Sequence, residues 1–144
     1  MKQPPAATLL YALETPEVGG DTLFADTASA YAALSDGMKA MLDGLIACNN
    51  ADLKASGGRS KHHGNIGGMA IHGTDEADQI VSEHPLIRTH PDTGAKAIYM
   101  NRGHTTHFKG FTEQESKPLI EFLQNHITQP AFTCRVTWQP GTVT

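Results

Sequence analysis

The chain is short of the features that mark several functional classes. It has two cysteines in 144 residues, Cys48 and Cys134, far apart and in no C-x-x-C pattern. That excludes a disulfide framework and leaves buried free thiols in a reducing compartment as the expectation, with a single bridge between the two as the alternative. No H-E-x-x-H occurs, so the common helical zinc motif is missing. Lys and Arg number 11 against 15 Asp and Glu, a formal charge of −4. With no basic cluster to neutralise phosphates, neither a nucleic-acid nor an anionic-membrane partner is expected. No apolar run approaches the ~20 residues of a membrane-spanning helix. The short run Ala6 to Leu13 follows Pro4 and Pro5 and ends at Glu14, without the length or cleavage site of a secretory signal. The cytoplasm is the expected location. No internal repeat or heptad appears. What remains is a chain 39% hydrophobic and 18% charged, ordinary values for one globular domain over residues 1–144 with a core of its own.

Ala7 to Glu14 has the apolar density of a strand and is broken by Pro16. Gly19-Gly20 then gives a tight reversal, since glycine reaches φ > 0 without a Cβ clash. The following Asp21 to Asp26 alternates, with Leu23 and Ala25 on one face and Thr22 and Phe24 on the other. Asp26 or Thr27 can cap a helix through Leu34. Ser35 can cap a second, with Met38, Met41, Leu42 and Leu45 at core-facing spacing. Residues 49–80 are rich in Gly, Ser, Asn, Lys and His and read as a loop or lid. Leu86 to Met100 reads as strand, turn, strand. Thr112 with Glu115 is a capping-box pattern opening a helix to Thr128, whose apolar face is Leu119, Ile120, Phe122, Leu123 and Ile127. Pro118 predicts a kink near its start. Phe132 to Trp138 alternates as a strand, with Phe132, Cys134, Val136 and Trp138 on one side. The order suits an α+β fold with helical inserts.

Three segments carry a more specific signal. They are Pro16 to Asp26 (PEVGGDTLFAD), His84 to Ser116 (HPLIRTHPDTGAKAIYMNRGHTTHFKGFTEQES) and Pro130 to Thr144 (PAFTCRVTWQPGTVT). In that order they resemble the Fe(II)/2-oxoglutarate dioxygenases of the taurine dioxygenase family, over nearly all of the chain except residues 49–80. The resemblance implies a partial double-stranded β-helix, or jelly roll. It implies Fe(II) held by an H-x-D pair and a distal histidine, a set that suits Fe(II) and leaves positions open. It also implies 2-oxoglutarate decarboxylated to succinate as a C–H bond of a small substrate, sulfonated or carboxylated, is hydroxylated. In the family the H-x-D pair precedes the Gly-Gly-Asp-Thr segment, and the distal histidine follows the segment matching Trp138 to Gly141. The chain is therefore expected to hold the centre of the domain, no iron ligand and no catalytic residue, and to be inactive alone.

The matching threonine, Thr22, is implied to donate its hydroxyl to a 2-oxoglutarate carboxylate. A short, χ1-restricted hydroxyl suits that task, against the plain alternative of a strand threonine. His104 stands where relatives often carry an aromatic residue near the substrate, and is the substrate-binding candidate. His90-Pro91-Asp92 spells H-x-D but sits among turn residues between two apolar stretches, so a hairpin tip is expected in place of iron ligands. His62 and His63 are adjacent in the basic loop and cannot easily face one point. His84 flanks a strand, and His104 and His107 would converge only on a helix, which Gly103 and Thr105-Thr106 oppose. Arg88 is expected to pair with an acid on a strand, and Arg102 to be solvated. The rival reading, from a different class, is a non-catalytic remnant or split half that acts by association, as a homo-oligomer or with a complementary chain.

Overall fold

The structure, a computed structural model, describes residues 6–50 and 81–144. Strand β1 (Thr22–Ala25) runs into helix α1 (Thr27–Ala32), and helix α2 (Asp36–Leu42) into strand β2 (Ile46–Asn50). Then come β3 (Val81–Pro85), β4 (Ile87–Thr89), β5 (Lys96–Ile98), β6 (Thr105–Phe108), helix α3 (Glu113–Ile127), a 3₁₀ turn (Pro130–Phe132) and β7 (Thr133–Val136). Among the described residues these strands pair antiparallel in three small sheets, β1–β7, β3–β2–β6 and β4–β5. The architecture is mixed helix and strand.

The helix starts follow from local chemistry. Asp26 caps α1, its carboxylate accepting from the amides of Ala28 and Ser29 at 3.0 and 3.1 Å. Ser35 caps α2 through the amide of Met38. At α3 the capping box is complete: Thr112 Oγ1 accepts from the Glu115 amide, and Glu115 accepts from the Thr112 amide. Pro118 does not divide α3, which runs unbroken from Glu113 to Ile127. It falls early enough that only a carbonyl of the first turn loses its donor.

The core gathers Ala30 and Leu34 from the α1 region, Leu42 of α2, Ala47 of β2, Ile98 of β5, Phe108 of β6, Leu86 between β3 and β4, and Ile120, Leu123 and Ile127 of α3. On α3 the buried positions Ser116, Ile120, Leu123 and Ile127 lie along one stripe, while Phe122 is 44% exposed and stacks on His126. Met38 packs against the core, but Met41 is exposed. Cys134 is an exposed free thiol and Cys48 a buried one, so burial holds for only one of the pair.

Two pairings depart from the sequence reading. The segment before Gly19-Gly20 does not fold back on β1. Its Leu10 and Ala12 bond the backbone of Thr142 and Thr144, with Tyr11 opposite Val143. Both glycines hold positive φ (83° and 78°), so they carry the chain between two stretches that each pair with the C-terminal segment. Asn49 and Asn50, expected in a loop, end strand β2; the proposed loop and its His62 and His63 otherwise lie outside the described residues.

Candidate functional site

Thr22 opens β1 opposite Val136 of β7. Alternation puts Thr22 and Phe24 on one face with Cys134, Val136 and Trp138. On that face Trp138 Nε1 lies 2.8 Å from Thr22 Oγ1, and both residues are half-buried. An indole N–H can only donate, so the Thr22 oxygen is the acceptor. On the opposite face Arg135 Nη1 reaches Asp21 Oδ2 at 3.2 Å. The start of β1 is thus tied to β7 by a side-chain bond on each face.

His104 lies elsewhere, in the turn before β6. The turn is closed by Asn101, whose carbonyl accepts from the His104 amide and whose Oδ1 accepts from Gly103 N at 2.7 Å. Thr105 Oγ1 donates to Asn49 Oδ1 at 2.7 Å and accepts from Asn101 N, and Asn50 N donates to the His104 carbonyl. His104 is therefore half-buried on a turn pinned to the end of β2. Thr22 lies on the β1–β7 pair and His104 in the turn before β6, and Arg102 is exposed in that turn.

His90 and Asp92 form the tip of the β4–β5 hairpin. His90 Nδ1 accepts from the amides of Asp92 and Thr93, so the imidazole holds the turn. His84 is buried edge-on to Tyr99, and His107 lies on β6 beside the Thr106 hydroxyl. His126 Nε2 donates to the Ala30 carbonyl at 2.8 Å between Phe122 and Phe132. Arg88 departs from its expected acidic partner: its guanidinium lies 4.9 Å from the centre of the Tyr99 ring. Among the described residues no three of His, Cys, Asp or Glu gather as a metal-ligand set, and no helix is long and apolar enough to cross a membrane.

Burial pushes the Cys48 thiol up, with Glu83 adding to the shift, so Cys48 is a poor nucleophile. Glu83 itself accepts from Lys109 Nζ at 2.7 Å and raises that ammonium. A shallow cavity of ≈ 380 Å³ lies at the α1 end of the β1–β7 pair, between Phe24, Asp26, Phe132 and Cys134. The Asp26 carboxylate in its wall is already committed to capping α1.

Comparison with known proteins decides the family. Residues 1–144 match, end to end, the family described as "Taurine catabolism dioxygenase TauD, TfdA family". The chain belongs to that family. Among relatives of the TauD/TfdA chain, it is 34% identical to "Alpha-ketoglutarate-dependent dioxygenase cnsP" of Penicillium expansum, over 99% of this chain and 37% of that protein. It is 35% identical to a "Putative alpha-ketoglutarate-dependent sulfonate dioxygenase" of Schizosaccharomyces pombe, over 95% of this chain and 33% of that one. The crystal structure of AAD-2 in complex with Mn(II) and N-oxalylglycine superimposes with a TM-score of 0.73 at 28% identity, covering 94% of this chain and 46% of that chain. The chain thus spans less than half the length of the relatives it matches.

Sequence reasoning singled out Thr22 and His104 but missed the partner of Thr22. The signal for Trp138 was present in its parity with Val136 and Cys134. It needed the β1–β7 register, which two segments so far apart in sequence do not reveal.

Proposed function

We propose that this TauD/TfdA chain is the central part of an Fe(II)/2-oxoglutarate-dependent dioxygenase, with Thr22 binding the co-substrate and His104 lining the substrate pocket. The observation that carries the reading is the Thr22 hydroxyl: its bond to Trp138 uses an oxygen lone pair and leaves the O–H to donate. That suits one carboxylate contact of 2-oxoglutarate. The described residues offer no group of three His, Cys, Asp or Glu for iron, and we assign its ligands to residues beyond them. When bound, iron and 2-oxoglutarate supply the oxidising chemistry, decarboxylation to succinate coupled to C–H hydroxylation. N-oxalylglycine, found in a structural relative, has the backbone length and terminal carboxylates of 2-oxoglutarate, with an N–H in place of one methylene. The substrate we favour is a small sulfonated or carboxylated organic molecule, because a relative is described as a sulfonate dioxygenase. The three antiparallel sheets are read as part of a jelly roll, and the cytoplasm as the location.

The test is 2-oxoglutarate binding by the full-length protein. Thr22→Ala should weaken it roughly ten- to a hundredfold, the worth of one hydrogen bond to a charged group, while Thr22→Ser keeps most of the affinity. Equal binding by wild type and Thr22→Ala would leave Thr22 as a strand residue. A second reading, a non-catalytic chain acting by association, is favoured by one observation: Leu9, Leu13 and Val18 are 82%, 78% and 90% exposed. A full-length protein that fails to bind 2-oxoglutarate would move the weight to it.

A further inference from the structure

Trp138 sits diagonally across the β1–β7 pair from Thr22. Thr22 faces Val136, and Trp138 is two residues further along the same face. That separation is beyond small side chains but within reach of an indole. Its N–H meets Thr22 Oγ1 at 2.8 Å. The direction of this bond is fixed by chemistry, because tryptophan has no acceptor to offer. A threonine hydroxyl has one proton and two lone pairs. Once a lone pair is held by Trp138, rotation about the Cβ–Oγ bond is restricted and the proton is turned away from the indole. Accepting a hydrogen bond also polarises the O–H and makes it a better donor. The Asp21–Arg135 pair on the other face holds the same strand start, so the hydroxyl is mounted on backbone fixed from both sides.

We propose that Trp138 is a positioning residue for the co-substrate: its indole N–H orients the Thr22 hydroxyl toward the 2-oxoglutarate carboxylate. The inference rests on the Thr22 reading above. It differs from a packing role in one respect. Packing needs the rings, whereas positioning needs the N–H.

The experiment measures 2-oxoglutarate affinity of the full-length, metal-loaded protein by anaerobic calorimetry. Trp138→Phe keeps an aromatic ring and removes the N–H. Replacement of Trp138 by 3-benzothienylalanine keeps the bicyclic shape and removes only the N–H, which covers the case that Trp138→Phe fails to fold. Each should weaken 2-oxoglutarate roughly two- to tenfold, the range of one neutral hydrogen bond. Neither should change affinity for the metal. In a Thr22→Val background, where no hydroxyl remains to orient, the benzothienyl replacement should have no further effect. If Thr22→Val weakens 2-oxoglutarate but the benzothienyl protein binds as wild type, the Trp138 role is overturned while Thr22 stands. If Thr22→Val itself binds as wild type, the reading beneath the proposal fails, and the proposal with it.

Discussion

Ser116 lies one turn into α3, 1% exposed, with its hydroxyl between two backbone groups. It accepts from the Phe108 amide at 3.0 Å and donates to the Thr112 carbonyl at 2.9 Å. One small side chain thereby joins the end of β6 to the start of α3. Ser116→Ala removes the partner of a buried N–H without removing the N–H. The expected cost is about 1–3 kcal/mol, seen as a lower urea midpoint with an unchanged slope. A midpoint within error of wild type would show that the Phe108 amide finds another acceptor. Thr22 and Ser116 differ in how readily the sequence discloses them. Thr22 stands in a recognisable string, which singles it out as a candidate. Ser116 reads as one polar residue in a helix, and its role depends on where Phe108 comes to lie. Arg88 shows the same limit: its strand was legible, but the Tyr99 ring beneath it was not.

Elements whose cause is local were legible, as were β1 and β7 from their alternation, but the pairing of distant segments was not. The caps at Asp26, Ser35 and Thr112 and the hairpin around His90 use residues within a few positions of one another. Strands β2, β3 and β6 contain Asn49-Asn50, Glu83 and His107 in place of clean apolar alternation. They are strands because β2 pairs on both sides, and context of this kind overrides propensity. The caps also carry a pH dependence. Bonds from the Ser29 hydroxyl and amide lower the Asp26 carboxyl below its ordinary value of 3.8. Bonds from Thr112 lower Glu115 below 4.5. A carboxyl depressed on folding contributes stability that is complete above its unfolded pKa and lost as the pH falls through its folded one. Asp26→Asn and Glu115→Gln should therefore lower stability near neutrality and flatten its fall in acid, by thermal melts from neutral to acid pH. Parallel acid limbs in wild type and both variants would remove the caps from the acid transition. Thr112→Ala, which removes the Oγ1 side of the capping box, should cost about 1 kcal/mol.

At the scale of the whole molecule the chain divides into a closed part and an open part. The helices and β2, β3, β5 and β6 enclose the core, whereas the pairing of Leu10–Ala12 with Thr142–Thr144 has no such cover among the described residues. Alternation puts Leu9, Tyr11 and Leu13 on one side of it, and Val143 faces Tyr11. Their exposures are 82%, 63%, 78% and 60%. A pair of extended segments with an exposed apolar face is a template for association. In the proposed complete domain the remaining sheet would lie over this face. We therefore expect the 144-residue chain, expressed alone, to self-associate in size-exclusion chromatography. Tyr11→Lys with Leu13→Lys should raise the monomer fraction, since charge on an exposed strand opposes pairing. The control is Phe108→Ala, which breaks the closed core at about 3–5 kcal/mol and should worsen association. The two changes act in opposite directions because one removes an adhesive surface and the other exposes a buried one. A monodisperse wild-type monomer with a steep urea transition would mean that the open ladder is tolerated in water. The assignment of a missing covering sheet would then lose its physical support.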